Sequence, residues 1–376
     1  MASSALRSRA SRAMWVLRPA PCGSCSARCR QRAWERPEVY DRTFDKHGRG
    51  CADSMRSNAP AKSIFGKAHD MPLIIRSPKK ATLVVRLSGG LGNQMFIYAV
   101  ARRLAAVNDA ELVVDDWSGF ARDVVYGSKY ALAPFSISAR MANRSERLFP
   151  FERLRRYIKK RLARKAAFDK AKYILIQKAG AFESQLLDRR LKGVTFIEGI
   201  RASEDYFKDI EDLIRQEYAF ATPPEPADEP LLQLIAGVPS VAVHFRWFKT
   251  SETDNATNLD LGYYEKAFAY VESRIDAPHY FIFSDRPAEA AQALALHGRK
   301  FTVVDHASSA SSMHRDLRLM SHCRHAIIAN STFSWWGAWL GESGDSVRLV
   351  VAPDPRNYPE MGWSSEKLIP HRWKRL

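Results

Sequence analysis

Thr82-Leu83-Val84-Val85-Arg86-Leu87, followed by Ser88-Gly89-Gly90-Leu91-Gly92-Asn93-Gln94, is the stretch on which the fold turns. The first six residues are mostly aliphatic and read as a buried strand, and the glycines read as a loop. Met95 to Val107, apolar at helical spacing, read as the helix that the loop opens. Strand, glycine loop and helix in that order make the first unit of a parallel α/β sheet.

C-terminal to this unit, Glu111–Asp115 and Thr195–Glu198 are the next expected strands, separated by a basic stretch running from Arg140 to Lys178. That stretch reads as a solvated helical face, or, more sharply, as a surface attracted to anionic lipid or a lipid-linked glycan. Phe207, Ile210, Leu213 and Ile214 predict one amphipathic helix over 205–218. The proline-rich run Thr222-Pro-Pro-Glu-Pro-Ala-Asp-Glu-Pro230 reads as an interdomain linker.

From Ser240 onward the alternation becomes regular. Strands are expected at 240–245, 280–284, 301–304, 326–329 and 348–351, with helices at 261–275, 287–296, 313–323 and 333–340. Short apolar strands separated by helices mean a parallel sheet covered on both faces, with ligands bound at the carboxyl ends of its strands. The expected organisation is a disordered basic leader over 1–80, which a start codon assigned too far upstream would also explain. A Rossmann-like domain over 81–221, a linker over 222–239 and a second Rossmann-like domain over 240–376 follow it.

The 376 residues are 46% hydrophobic and 26% charged, the profile of a globular protein. No apolar run approaches the roughly 18–20 residues of a membrane-spanning helix. The net charge of +17 is concentrated in residues 1–80, where 17 Lys and Arg face 6 Asp and Glu, so a nucleic-acid-binding reading rests on that leader alone. Four of the five cysteines (Cys22, Cys25, Cys29, Cys51) also fall there. Their spacing does not complete a zinc module, and Cys323 alone cannot frame the body with disulfides.

Four strand ends carry polar side chains able to do chemistry. Gly90, Gly92, Asn93 and Gln94 offer close backbone approach and amide hydrogen bonds, although the dinucleotide order G-x-G-x-x-G is not met. His244 and Arg246 follow the strand at 240–245, where a guanidinium can grip phosphate in bidentate fashion. Ser284-Asp285 closes the next strand. Ser331, Thr332, Phe333 and Ser334 open a helix and offer hydroxyls and free N–H groups to an anion. Trp335 and Trp339, four apart, read as core. Asp316 reads equally as a helix cap or as an acceptor for guanine's Watson–Crick edge. There is no Walker loop, no H-E-x-x-H, no nucleophile elbow and no D-x-D metal pair, so phosphate recognition is expected without a metal.

Val84 to Phe96, Phe281-Ile-Phe-Ser-Asp285 and the long run Asp316 to Leu340 resemble the bacterial α-1,2-fucosyltransferases of glycosyltransferase family 11. The likeness runs from Ala81 to the C-terminus, including Glu198–Phe207 and Leu368–Trp373. It implies a GT-B-like fold, two doubly wound domains facing a cleft, and GDP-fucose as donor. It also implies a galactose-terminated acceptor that is free or lipid-linked, inversion at the anomeric carbon, and no cofactor or metal.

Carried over residue by residue, the resemblance makes Arg246, with His244 beside it, the diphosphate-binding catalytic pair and Asp316 the guanine acceptor. Ser331, Thr332, Phe333 and Ser334 form the diphosphate turn, with Asp285 on the donor side, while Gly90, Gly92, Asn93 and Gln94 border fucose and acceptor. One departure stands out: the family pattern H-x-R-R-G-D reads here His244-Phe-Arg246-Trp247-Phe-Lys249, which leaves Glu252 and Asp254 as substitute base candidates. The expected location is the cytoplasm, peripheral at the inner membrane. Transfer with another acceptor linkage, and a Rossmann dinucleotide oxidoreductase, are the alternatives. The second lacks the acidic ribose-binding residue at the usual spacing.

Overall fold

The structure is a computed structural model, and it describes residues 80–376 except 122, 124–126, 176–180, 248–258, 307–311, 343–346 and 358–366. The leader with its four cysteines, and Lys249, Glu252 and Asp254, lie outside the described residues.

The elements run β1 (Thr82–Arg86), α1 (Leu91–Val107), β2 (Glu111–Asp115), β3 (Arg140–Met141), α2 (Glu152–Lys165), β4 (Tyr173–Ile174), β5 (Val194–Glu198), α3 (Glu211–Glu217) and α4 (Glu229–Gly237). The second half contains β6 (Ser240–Phe245), α5 (Leu261–Glu272), β7 (His279–Ser284), α6 (Pro287–Ala293) and β8 (Lys300–Val303). It ends with α7 (Ser312–His322), β9 (His325–Ile327), α8 (Thr332–Leu340), β10 (Val350–Ala352) and β11 (Lys374–Arg375).

These strands form two sheets, and every pairing within them is parallel. The first is ordered β3-β2-β1-β5-β4 and the second β11-β10-β9-β6-β7-β8. Read from its other edge, the second sheet has the strand order 3-2-1-4-5-6 of a doubly wound nucleotide-binding fold, which reverses direction between β6 and β9. There Val241 pairs with His325 and Val243 with Ile327.

Strand periodicity explains how both faces are covered, because successive side chains point to opposite sides. In the second sheet Val241, Val243, Tyr280, Ile282 and Ile327 enter one core with Tyr264, Phe268 and Val271 of α5. Their neighbours Ala242, Phe281, Phe283 and Ala326 enter another. In the first sheet Leu83, Val85, Leu112 and Val114 face that same second core, while Val84, Val113, Tyr173 and Phe196 face a small third cluster.

The shared core is one continuous cluster built around α1 and α8. Phe96 packs at 4.6 Å from Trp335 and 4.9 Å from Trp336, ring centre to ring centre. All three tryptophans of α8 are buried, as expected for Trp335 and Trp339. Each removes about 150–250 Å² from water, a gross gain of about 4–6 kcal/mol.

Four expectations change. The glycine loop is shorter than expected: α1 opens at Leu91, so Gly92, Asn93 and Gln94 belong to its first turn. The single helix over 205–218 is two 3-10 turns followed by the seven-residue α3, because Phe207 (φ −140°) breaks the helical path. The stretch 222–239 is not a bare linker: α4 occupies it, buries Ile235 and packs on α7. The strands at 326–329 and 348–351 shift by one or two residues at their ends. Among the described residues no helix is long and apolar enough to cross a membrane.

Candidate functional site

The N-terminus of α8 meets the first turn of α1 and the end of β6. Ser331 is its cap: extended at φ −133°, it accepts the Phe333 N–H on its hydroxyl at 3.3 Å. Thr332 Oγ1 donates to Asn93 Oδ1 at 2.7 Å, tying the first turn of α8 to that of α1. The Trp336 indole N–H donates to the carbonyl of Gly92 at 3.1 Å. Gly92 has no room for a side chain, since a Cβ there would lie 2.4 Å from the carbonyl carbon of Thr332 and 2.5 Å from the nitrogen of Phe333. The glycine loop and the N-S-T-F-S turn, read as separate strand ends in the sequence, are thus in direct contact.

Gln94 behaves differently from the expectation that it borders a ligand. It is fully buried, its amide nitrogen donates to the carbonyls of Gly89 and Lys129 (both 2.8 Å), and its oxygen accepts the Ala131 N–H (2.8 Å). It fastens the glycine loop to the segment after β2. Ser334 is likewise buried and bonded to the carbonyl of Ser331 at 3.2 Å. Gly90 is exposed, with nothing within 4 Å of where a Cβ would be, and Asn93 is half-buried.

At the end of β6, His244 is 4% exposed and its Nδ1 has no hydrogen-bond partner. Its ring centre is 5.5 Å from that of Phe333, which brings the β6 end to the start of α8. Burial first, and the Arg246 charge second, push its imidazole down to about 3, so it is neutral at physiological pH. Arg246 keeps about two-fifths of its side chain exposed and pairs with Asp285 at 3.4 Å. Asp285 also accepts the Trp247 N–H at 3.1 Å. The carboxylate therefore anchors the Arg246 motif.

Asp316 belongs to a second group. Its Oδ1 is 2.6 Å from His306 Nδ1, and His306 Nε2 is 3.0 Å from Asp228 Oδ1. Asp228 in turn accepts two bonds from Arg315, at 2.6 and 2.9 Å. Burial raises the Asp316 carboxyl to about 6 against the pull of His306, and the Arg315 hydrogen bond holds Asp228 below the usual carboxylate range. Sequence reasoning missed His306 and Asp228. His306 follows β8, and the strand-end rule used for the other sites would have pointed to it.

What the first group can do chemically follows from its parts. The N–H groups and dipole of a capped helix, and a guanidinium at the neighbouring strand end, are the kinds of group that suit an anion, and both stand at the topological switch point. Among the described residues there is no group of three His, Cys, Asp or Glu able to hold a metal.

A doubly wound α/β chain hosts many chemistries, and comparison with known proteins gives the class directly: it is a glycosyltransferase. The chain belongs to glycosyl transferase family 11, whose model matches residues 53–361. The match begins before Ala81, where the sequence resemblance was expected to start, and ends short of Leu368–Trp373. An α-1,2-colitosyltransferase of Escherichia coli is 26% identical over 307 residues, covering 78% of this chain and 98% of that protein. The O-antigen biosynthesis glycosyltransferase WbnK of Escherichia coli is 39% identical over 95 residues, 25% of this chain and 30% of its own length. Among solved structures, fucosyltransferase NodZ from Bradyrhizobium is similar at 16% identity and TM-score 0.43, covering 70% of this chain and 94% of that one.

Proposed function

We propose that the chain transfers L-fucose from GDP-fucose to the 2-hydroxyl of a galactose-type acceptor, with inversion at the anomeric carbon. The observation carrying this reading is that the capped start of α8, after β9, and Arg246, after β6, follow the two strands that flank the switch point, which suits a diphosphate leaving group. The acceptor hydroxyl attacks the anomeric carbon as the bond from that carbon to the diphosphate oxygen breaks, GDP departs with the electron pair, and the hydroxyl proton is released to solvent as the new glycosidic bond forms. Arg246, held by Asp285, and the N–H and hydroxyl groups of Ser331 and Thr332 stabilise the charge growing on that oxygen, the term that usually dominates such catalysis.

Asp316, ionised above pH 6, accepts the guanine N–H groups, with His306 holding its other side. His244, at about 3, is too weak a base to take the acceptor proton, so its part is to brace Phe333 and the end of β6. Asn330-Ser331-Thr332 is formally an N-glycosylation sequon, and Asn330 is only 1% exposed. A glycan there would block the donor side, which favours a cytoplasmic enzyme.

The relative named as an α-1,2-colitosyltransferase supports the α-1,2 linkage and makes a colitosyl donor the second reading. Purified chain offered each donor with a panel of galactose-terminated acceptors tests both, with the product linkage read by NMR. Absence of any 2-O-fucosylated product, with transfer from the colitosyl donor, would replace the first reading by the second.

A further inference from the structure

Helix α2 is built inside out. A surface helix ordinarily buries an apolar stripe and turns its charges to water. In α2 the buried residue is Arg156, whose guanidinium donates to Glu152 (2.7 Å), Tyr173 (2.8 Å), Ser118 (2.8 Å) and Asp115 (3.1 Å). Lys160, on the same side, pairs with Glu198, and the Lys159 ammonium lies 4.8 Å from the ring centre of Phe196. The helix is thus fastened to the first sheet by its charges.

Its apolar residues face the other way. Phe151, capping the helix, is 74% exposed, Leu154 58%, Ile158 45% and Leu162 62%. Their spacings of three, four and four put them in one row, about 16 Å long at 1.5 Å per residue. At 100° per residue, Arg155 and Arg161 fall along its two edges and Lys165 continues the row past its C-terminal end, and all three are exposed. The helix's one carboxylate, Glu152, is engaged by Arg156.

We propose that this face of α2 docks on an anionic lipid bilayer, with the four apolar side chains entering the interfacial layer and Arg155, Arg161 and Lys165 meeting lipid phosphates. The charge pattern selects this occupant. A second copy related by a twofold axis would bring the same cations together. The N-terminal 80 residues, at +11, are repelled in the same way. A nucleic acid would match the cations but would leave the apolar row without an apolar phase.

The test is sedimentation of the full chain with phosphatidylcholine vesicles, with and without phosphatidylglycerol. Binding is expected only to the anionic vesicles. Each basic residue at such a surface contributes about fivefold, so Arg155→Glu/Arg161→Glu/Lys165→Glu should lower the partition coefficient at least about 100-fold. Leu154→Ser/Leu162→Ser should leave a residual binding that moderate salt abolishes, where the parent keeps part of its own. Both variants should keep the parent's melting temperature, because every substituted side chain is exposed. The proposal is overturned if the parent ignores anionic vesicles. It is equally overturned if both variants bind as the parent does, which would assign binding to the leader, or if the parent is a dimer that the serine variant makes monomeric.

Discussion

Gly92→Ala is the sharpest probe of the site, because the structure gives the size of the clash. The added methyl would lie 2.4–2.6 Å from backbone atoms of Thr332 and Phe333, where carbon contacts need about 3.5 Å, so α8 must retreat by about 1 Å. That retreat stretches the Thr332–Asn93 bond from 2.7 Å and the Trp336–Gly92 bond from 3.1 Å beyond useful range. Overpacking strain, one lost bond and one buried indole N–H left unpaired together cost about 3–5 kcal/mol. A misplacement of about 1 Å at a group aligned with the reacting atoms lowers kcat/KM by about 100-fold. Gly90→Ala is the control: φ is −68° and the space is open, so stability should hold or rise by a few tenths of a kcal/mol. Urea denaturation and kcat/KM for the donor read both effects. A Gly92→Ala protein within 1 kcal/mol of its parent and within tenfold of its activity would refute the claim that the glycine loop sets the position of α8.

Arg246→Ala should lower kcat/KM for GDP-fucose by about 10²–10³, and Arg246→Lys should recover only part, since an ammonium lacks the planar fork; a folded alanine variant within tenfold of wild type would move the diphosphate elsewhere. The donor KM should rise as pH falls through about 6, where the Asp316 carboxyl takes a proton, and Asp316→Asn should remove that dependence while weakening binding throughout. Because the His244 pKa is lowered, the unfolded chain binds a proton that the folded one refuses between pH 6.5 and about 3. Stability present above 6.5 is therefore lost on acidification, by up to about 1.4 kcal/mol per pH unit, and His244→Gln should flatten that limb in pH-dependent melting. Transfer is expected to survive excess EDTA, and activity abolished by EDTA and restored by manganese would contradict the metal-free reading that the missing D-x-D pair suggests.

Much of the second half was legible because its central strands β6, β7, β9 and β10 are buried on both faces and its helices carry apolar residues at helical spacing. Ser240–Phe245 agrees to the residue, and the starts of α7 and α8 are off by one. The two-residue strands β3, β4 and β11 were not legible, since each is held by a pairing with a distant strand rather than by a pattern of its own. Gln94 was misread for a related reason: an amide next to a glycine loop looks free until Lys129 and Ala131, contributed from beyond β2, are seen to engage it. The direct contact of Gly92 with Thr332 joins residues 240 positions apart, and nothing local announces it. The positions of Arg246, just after β6, and of Ser331, at the start of α8, were legible by contrast, because each lies where a parallel strand hands over to the next element.

The continuous cluster around α1 and α8 also bears on how such chains can be recombined. Glycosyltransferases built from two sheets invite chimeras in which the half holding one substrate is exchanged for that of a relative. Here the cut would pass through Phe96, Trp335 and Trp336, whose rings interlock across it. A graft that carries β1–β5 without α8, or α8 without α1, joins surfaces that have never been fitted to one another. For this chain the transferable module has to include the pair of helices, which makes Gly92 and its backbone contacts part of any design that seeks a new acceptor.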